Sequence, residues 1–191
     1  MDLNREPRIL RTVPGEKSGA GDGSEDPAKV EQVQETSEIS NLVTVRSARV
    51  DRTLTRQQVL DASGCEQVID QEDVVATIPC GEGEEVEVVF FKPDPEAFEN
   101  GVISDAALEK EYEKRGLLPD PYAQCKVNGD DPDFAGLNMN GCQWKDENGN
   151  YCRMHFYPFP GGNRVRVRRM RNGVWDEGLW IFGGVRKKKA A

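Results

Sequence analysis

Cys142-Gln-Trp-Lys-Asp-Glu-Asn-Gly-Asn-Tyr-Cys-Arg-Met-His-Phe156 decides the fold, because it can turn in two ways and only one of them makes a core. A two-residue Asn148-Gly149 loop pairs Glu147 with Asn150 and sets Trp144 and Cys142 on the same face as Arg153 and His155. A type I turn with Gly149 as the bulge residue pairs Asp146 with Asn150 instead. That register gathers Cys142, Trp144, Cys152, Met154 and Phe156 on one face and leaves Gln143, Lys145, Tyr151, Arg153 and His155 on the other. It separates apolar from polar side chains, and it is the expected one.

Downstream, Arg164-Val-Arg-Val-Arg168 alternates with period two, placing Val165 and Val167 inward and three arginines outward. Asn172-Gly173 is expected to turn the chain into a final strand around Leu179 to Phe182. Upstream, Glu85-Val-Glu-Val-Val-Phe-Phe91 is the clearest strand, launched by Gly81-Glu-Gly-Glu84 and ended by Pro93 and Pro95. Thr55 and Gln58 stand at capping-box spacing with Gly64 as a left-handed stop, predicting a helix over Arg56 to Ser63. Ser104 caps a second helix, Asp105 to Arg115, closed by Gly116. Asp120-Pro121 and Asp131-Pro132 each read as cap plus first turn, giving short helices over Pro121 to Val127 and Pro132 to Ala135. Leu42 to Arg46, Glu66 to Asp70 and Asp73 to Ile78 are weaker signals, for two strands and a helical turn.

Residues 1 to 38 contain no aromatic and no Cys, and include the polar, Gly-rich Gly15 to Ser24, so they are expected to form a disordered tail. Residues 39–50 read as a linker or first strand, 51–186 as one domain and 187–191 as a basic C-terminal tail. The first residues lack an apolar run fit for a signal peptide, and the longest bulky apolar stretch, Val88 to Phe91, is far short of the roughly 20 residues of a membrane span. The expectation is a cytoplasmic protein with no membrane partner. Five cysteines (65, 80, 125, 142, 152) at irregular spacing without C-x-x-C signal neither a disulfide framework nor a zinc site, and read as reduced thiols.

Charge is divided by position. From Arg153 to Ala191 the local balance is +8; the rest of the chain carries −17, for a net −9. Arg164, Arg166 and Arg168, joined by Arg153 if their strands pair, form the candidate binding face, with Tyr151 or Tyr157 able to share it. Guanidinium forks bind carboxylates and phosphates, and with aromatics they can hold single-stranded nucleic acid. The competing reading pairs them across the sheet with Glu85 and Glu87. The intramolecular pairing is favoured, because an acidic chain repels a polyanion.

His155 is the only histidine, which removes most nucleophile–base pairs and metal sites. Cys152-x-x-His155 has a ligand-like spacing, yet the chosen register sends the two to opposite faces. Asp146, Asn148 and Asn150 begin like a calcium loop, but Tyr151 stands where glycine is needed and Tyr157 where glutamate is. No cofactor, metal or catalytic residue is assigned.

From about Asp51 the chain resembles a family of uncharacterised bacterial and phage-associated proteins. The resemblance is carried by Val74-Val-Ala-Thr-Ile-Pro-Cys-Gly-Glu-Gly-Glu-Glu-Val-Glu-Val-Val-Phe-Phe91, Leu108-Glu-Lys-Glu-Tyr-Glu-Lys-Arg-Gly116, Asp120-Pro-Tyr122, Trp144-Lys-Asp146 with Gly149-Asn150 and Cys152, and Trp180-Ile-Phe-Gly-Gly-Val-Arg186. It implies no activity and no site residue. Where the family has two adjacent tryptophans in the last strand, this chain has Leu179-Trp180.

The fold expected is α+β, with a mostly antiparallel sheet of four to six strands carrying two or three short helices on one face. The function expected is a non-enzymatic binding or accessory protein whose basic C-terminal face contacts an acidic protein surface. The alternatives are nucleic-acid binding and a small enzyme combining carboxylates with Cys80 or His155.

Overall fold

In the computed structural model residues 41–171 and 173–187 are described; the expected tail over 1–38 and the end of the basic run, Lys188 to Ala191, lie outside them. The elements in chain order are β1 (Leu42–Arg49), α1 (Arg56–Ala62), β2 (Glu66–Ile69), α2 (Glu72–Val75), β3 (Glu85–Phe91) and β4 (Val102–Ser104). They continue with α3 (Asp105–Lys114), β5 (Leu117–Leu118), α4 (Pro121–Asp130), α5 (Phe134–Leu137), β6 (Asn140–Lys145), β7 (Tyr151–Phe159), β8 (Gly162–Arg169), β9 (Val174–Asp176) and β10 (Ile181–Arg186).

The expected local chemistry forms these elements. Thr55 and Gln58 close the capping box at the start of α1. The Ser104 hydroxyl accepts from the Ala107 amide at the start of α3, and the Asp120 carboxylate accepts from the Ala123 amide at the start of α4. At the hairpin between β6 and β7 the Asp146 amide donates to the Asn150 carbonyl at 2.9 Å, and Gly149 has φ 78°. Trp144 pairs with Cys152 and Cys142 with Met154, so the bulged register is the one formed.

The sheet differs from expectation in size and sense. Eight strands form it, in the order β1-β3-β10-β6-β7-β8-β2 with β5 on β10, and it is mixed: β10 runs parallel to β6 and β2 parallel to β8. After β8 the chain does not turn back as a hairpin. It leaves to pair β9 with β4 in a separate two-stranded sheet, then re-enters between β3 and β6 as β10. Strands of two to four residues, such as β2, β4, β5 and β9, are too short to show alternation, which is why periodicity missed their partners.

Both faces of the large sheet are covered, against the expectation of helices on one. Val88 and Phe90 of β3 face the larger core with Leu60, Tyr122, Phe134, Met154 and Phe156, under α1, α4 and α5. Val89 and Phe91 point the other way, into a second core with Leu108 and Tyr112 of α3, Trp175 of β9 and Phe182. Alternation on one strand therefore feeds two cores. Close approach of the second layer depends on Gly141, where a β-carbon would lie 2.9 Å from the Trp175 ring.

Candidate functional site: the arginine face of β7 and β8

Pairing of β7 with β8 sets Arg153 opposite Arg168, His155 opposite Arg166 and Tyr157 opposite Arg164. The sequence-predicted residues thus do share one face, and nearly all find carboxylates within the chain. Arg164 donates to Glu66 and Arg166 to Asp70, at 2.8 Å in each closest contact. Arg169 is held by Asp73 and Asp146. The partners expected, Glu85 and Glu87, are not the ones used: β3 is separated from β8 by β10, β6 and β7, whereas β2 lies alongside β8 with Glu66 opposite Arg164. Both glutamates are exposed and line a groove of about 940 Å³ instead.

Arg153 is not part of an open cationic surface. Its side chain is 1% exposed, and its Nε donates to Asp105 Oδ1 at 2.8 Å while Nη1 donates to the Val174 carbonyl. The guanidinium lies over the Trp175 ring, 4.2 Å from its centre. Burial pulls the Arg153 pKa down against the attraction of Asp105, and burial pushes the Asp105 carboxyl up against the attraction of Arg153. Gln143 joins them, donating to the Asp105 carbonyl at 2.6 Å and accepting from the Trp175 indole. This network ties α3 and β9 onto the sheet. A charge on a central strand had to find such a partner; in the sequence Asp105 is legible only as the first residue of the helix that Ser104 caps.

Arg168 stands apart. Among the described residues its side chain has neither ion pair nor hydrogen bond, and its buried Nε is unpartnered. Asp70 and Asp105 reach it only as more distant charges, while burial and then Arg166 pull its pKa down. Beside it His155 is 6% exposed with a buried, unpartnered Nδ1. The imidazole is stacked on Tyr157 at 5.6 Å and met edge-on by Trp180 at 5.0 Å and Trp175 at 5.9 Å. Burial first, then the cations Arg168, Arg166 and Arg153, drive its pKa down to about 3. The sequence gives no sign of this aromatic enclosure, because Trp175 and Trp180 reach it from β9 and the start of β10.

Of the residues named in the enzymatic alternative, Cys80 and His155 lie apart, while Cys80 shares a groove with Asp120. Cys80 packs against the larger core, on the opposite side of the sheet from His155. Its thiol donates to the Arg52 carbonyl. In the same groove Asp120 is held by the Arg52 guanidinium at 2.7 Å, and Arg52 also donates to the carbonyls of Cys80, Glu82 and Gly83. These polar groups are committed to fastening the loop before β3. Among the described residues no three His, Cys, Asp or Glu side chains are placed to hold a metal ion, and no helix is long and apolar enough to cross a membrane.

Compared with known proteins, the chain matches no family model, no curated protein and no solved structure.

Proposed function

We propose that this chain is a non-enzymatic binding or accessory protein that contacts an acidic protein surface through the face of β7 and β8. The observation that carries the reading is Arg168: of the five arginines at positions 153, 164, 166, 168 and 169, it alone lacks a carboxylate among the described residues. A half-buried guanidinium without a counter-ion costs stability, and an acidic group brought by a partner removes that cost. The half-exposed Tyr157 and Trp180 beside it are residue types that anchor interfaces.

Single-stranded nucleic acid is the second reading, favoured by those same aromatics and by the exposed Phe159 under the Arg164 guanidinium. It is the weaker one, because Arg164 and Arg166 are already neutralised and the chain carries −9. Titrating fluorescein-labelled peptide rich in glutamate, and separately labelled single-stranded DNA, into the full chain at low salt decides between them. Saturable peptide binding weakened about tenfold or more by Arg168→Met is expected. Absence of peptide binding overturns the proposal, and DNA binding with a steep salt dependence replaces it.

A further inference from the structure

Two of the buried polar atoms left without a partner, Arg168 Nε and His155 Nδ1, belong to one face of one strand pair. They are diagonal neighbours: His155 is opposite Arg166, and Arg168 follows two residues on. Side chains so placed start about 7 to 8 Å apart, a span that a single bridging group can close. Buried donors in native proteins are almost always satisfied, so two adjacent orphans point to a missing third party. Three rings, Tyr157, Trp175 and Trp180, pack against the His155 imidazole.

Charge narrows what fits. Arg153 is matched by Asp105, and Arg166 by Asp70. The surplus at the imidazole is therefore the single positive charge of Arg168. A monoanion balances it; a dianion such as phosphate would leave one negative charge uncompensated among aromatic rings. Two N–H donors on neighbouring side chains also suit the two coplanar oxygens of a carboxylate, with the neutral imidazole carrying its proton on Nδ1.

Resting on the reading of this face as the contact for an acidic partner, we infer that Arg168 and His155, once Trp180 moves aside, form a recess that receives one carboxylate, the side chain of a partner's Asp or Glu. One oxygen accepts from Arg168 Nε–H and the other from His155 Nδ1–H. The half-exposed Trp180 indole gives way on entry, on the connection Glu177 to Leu179 that contains Gly178 at φ 78°.

The test uses the single histidine as a reporter in the full chain. The His155 imidazole resonances are followed by NMR while sodium acetate, and separately inorganic phosphate, is added at constant ionic strength. A saturable acetate-dependent shift, lost in Arg168→Met, is expected, with phosphate at least about tenfold weaker. Arg168→Lys keeps the charge without Nε and should lose most of the response. An unmoved resonance, an equal response in Arg168→Met, or a preference for phosphate overturns the inference. The glutamate-rich peptide separates the two claims: if it binds the protein and leaves the His155 signal in place, the face is the contact but the recess is not its receptor. If it does not bind at all, both fail.

Discussion

Arg153 and Asp105 form an ion pair whose side chains are 1% and 5% exposed, and through it α3 is fixed to the middle of β7. Truncating one member leaves the other charged and buried. Asp105→Leu and Arg153→Met should each destabilise the protein by about 3 to 5 kcal/mol. The double variant Arg153→Met with Asp105→Leu should recover a large part of the loss. A double-mutant cycle by urea unfolding measures this, and simple additivity of the two losses would show that the pair is not the fastener.

The hairpin carries a second expectation. A β-carbon on Gly149 meets nothing within 4 Å, so Gly149→Ala is penalised only through φ, by about 1 kcal/mol. Trp144, by contrast, is buried in the larger core and donates from Nε1 to the Thr77 hydroxyl at 3.0 Å. Trp144→Ala should cost about 3 to 5 kcal/mol. Equal losses at the two positions, measured by thermal or urea unfolding, would mean the turn is strained by crowding as well.

His155 gives a pH dependence of known sign. Arg153 of β7, Arg166 and Arg168 of β8, and Asp70 beyond β2 are the charged groups acting on it, and burial with the three cations holds its pKa at about 3. The unfolded chain has an ordinary histidine near ~6.5. Protons therefore bind the unfolded state preferentially between these values. The contribution is complete above the unfolded pKa and is lost as pH falls, by up to about 1.4 kcal/mol per pH unit. Urea midpoints from neutral pH to about pH 5 should fall more steeply for the wild type than for His155→Asn. Parallel slopes would mean that the imidazole is accessible to protons when folded.

Arg168 should behave oppositely to its neighbours. Arg164→Ala and Arg166→Ala remove surface ion pairs, each with a loss no greater than about 1 kcal/mol. Arg168→Met removes a half-buried cation with no partner and should raise the unfolding midpoint in the absence of any partner protein. Such a gain is the mark of a residue kept for binding at the expense of stability. A loss of stability comparable to that of Arg166→Ala would show that Arg168 contributes to the fold.

What the sequence made legible follows from range. The capping box at Thr55, the bulged turn at Gly149 and the alternation of Val165 and Val167 are local, and each appears as read. The grouping of Arg153, Arg164, Arg166 and Arg168 on one face was also legible, since two alternating strands joined by a short turn leave little choice. Their partners were not. Glu66 and Asp70 reach β8 only because β2 pairs with it in parallel, some 98 residues away in sequence. Asp105 reaches Arg153 through a helix packed on the far face. The enclosure of His155 needs β9 and β10, whose path departs from the hairpin that Asn172-Gly173 suggests.

The placement of β10 also sets an order of events in the cell. The β1–β3 ribbon and the β6–β7–β8 meander are translated earlier, yet within the large sheet they are hydrogen-bonded to each other only through β10, which emerges after both. While the ribosome is still extending the chain, β3 and β6 each present an open edge flanked by apolar side chains, the condition in which nascent chains aggregate. The main sheet can therefore close only once β10 is available to both edges. Premature stop codons before Ile181 should yield insoluble protein, not a smaller folded one.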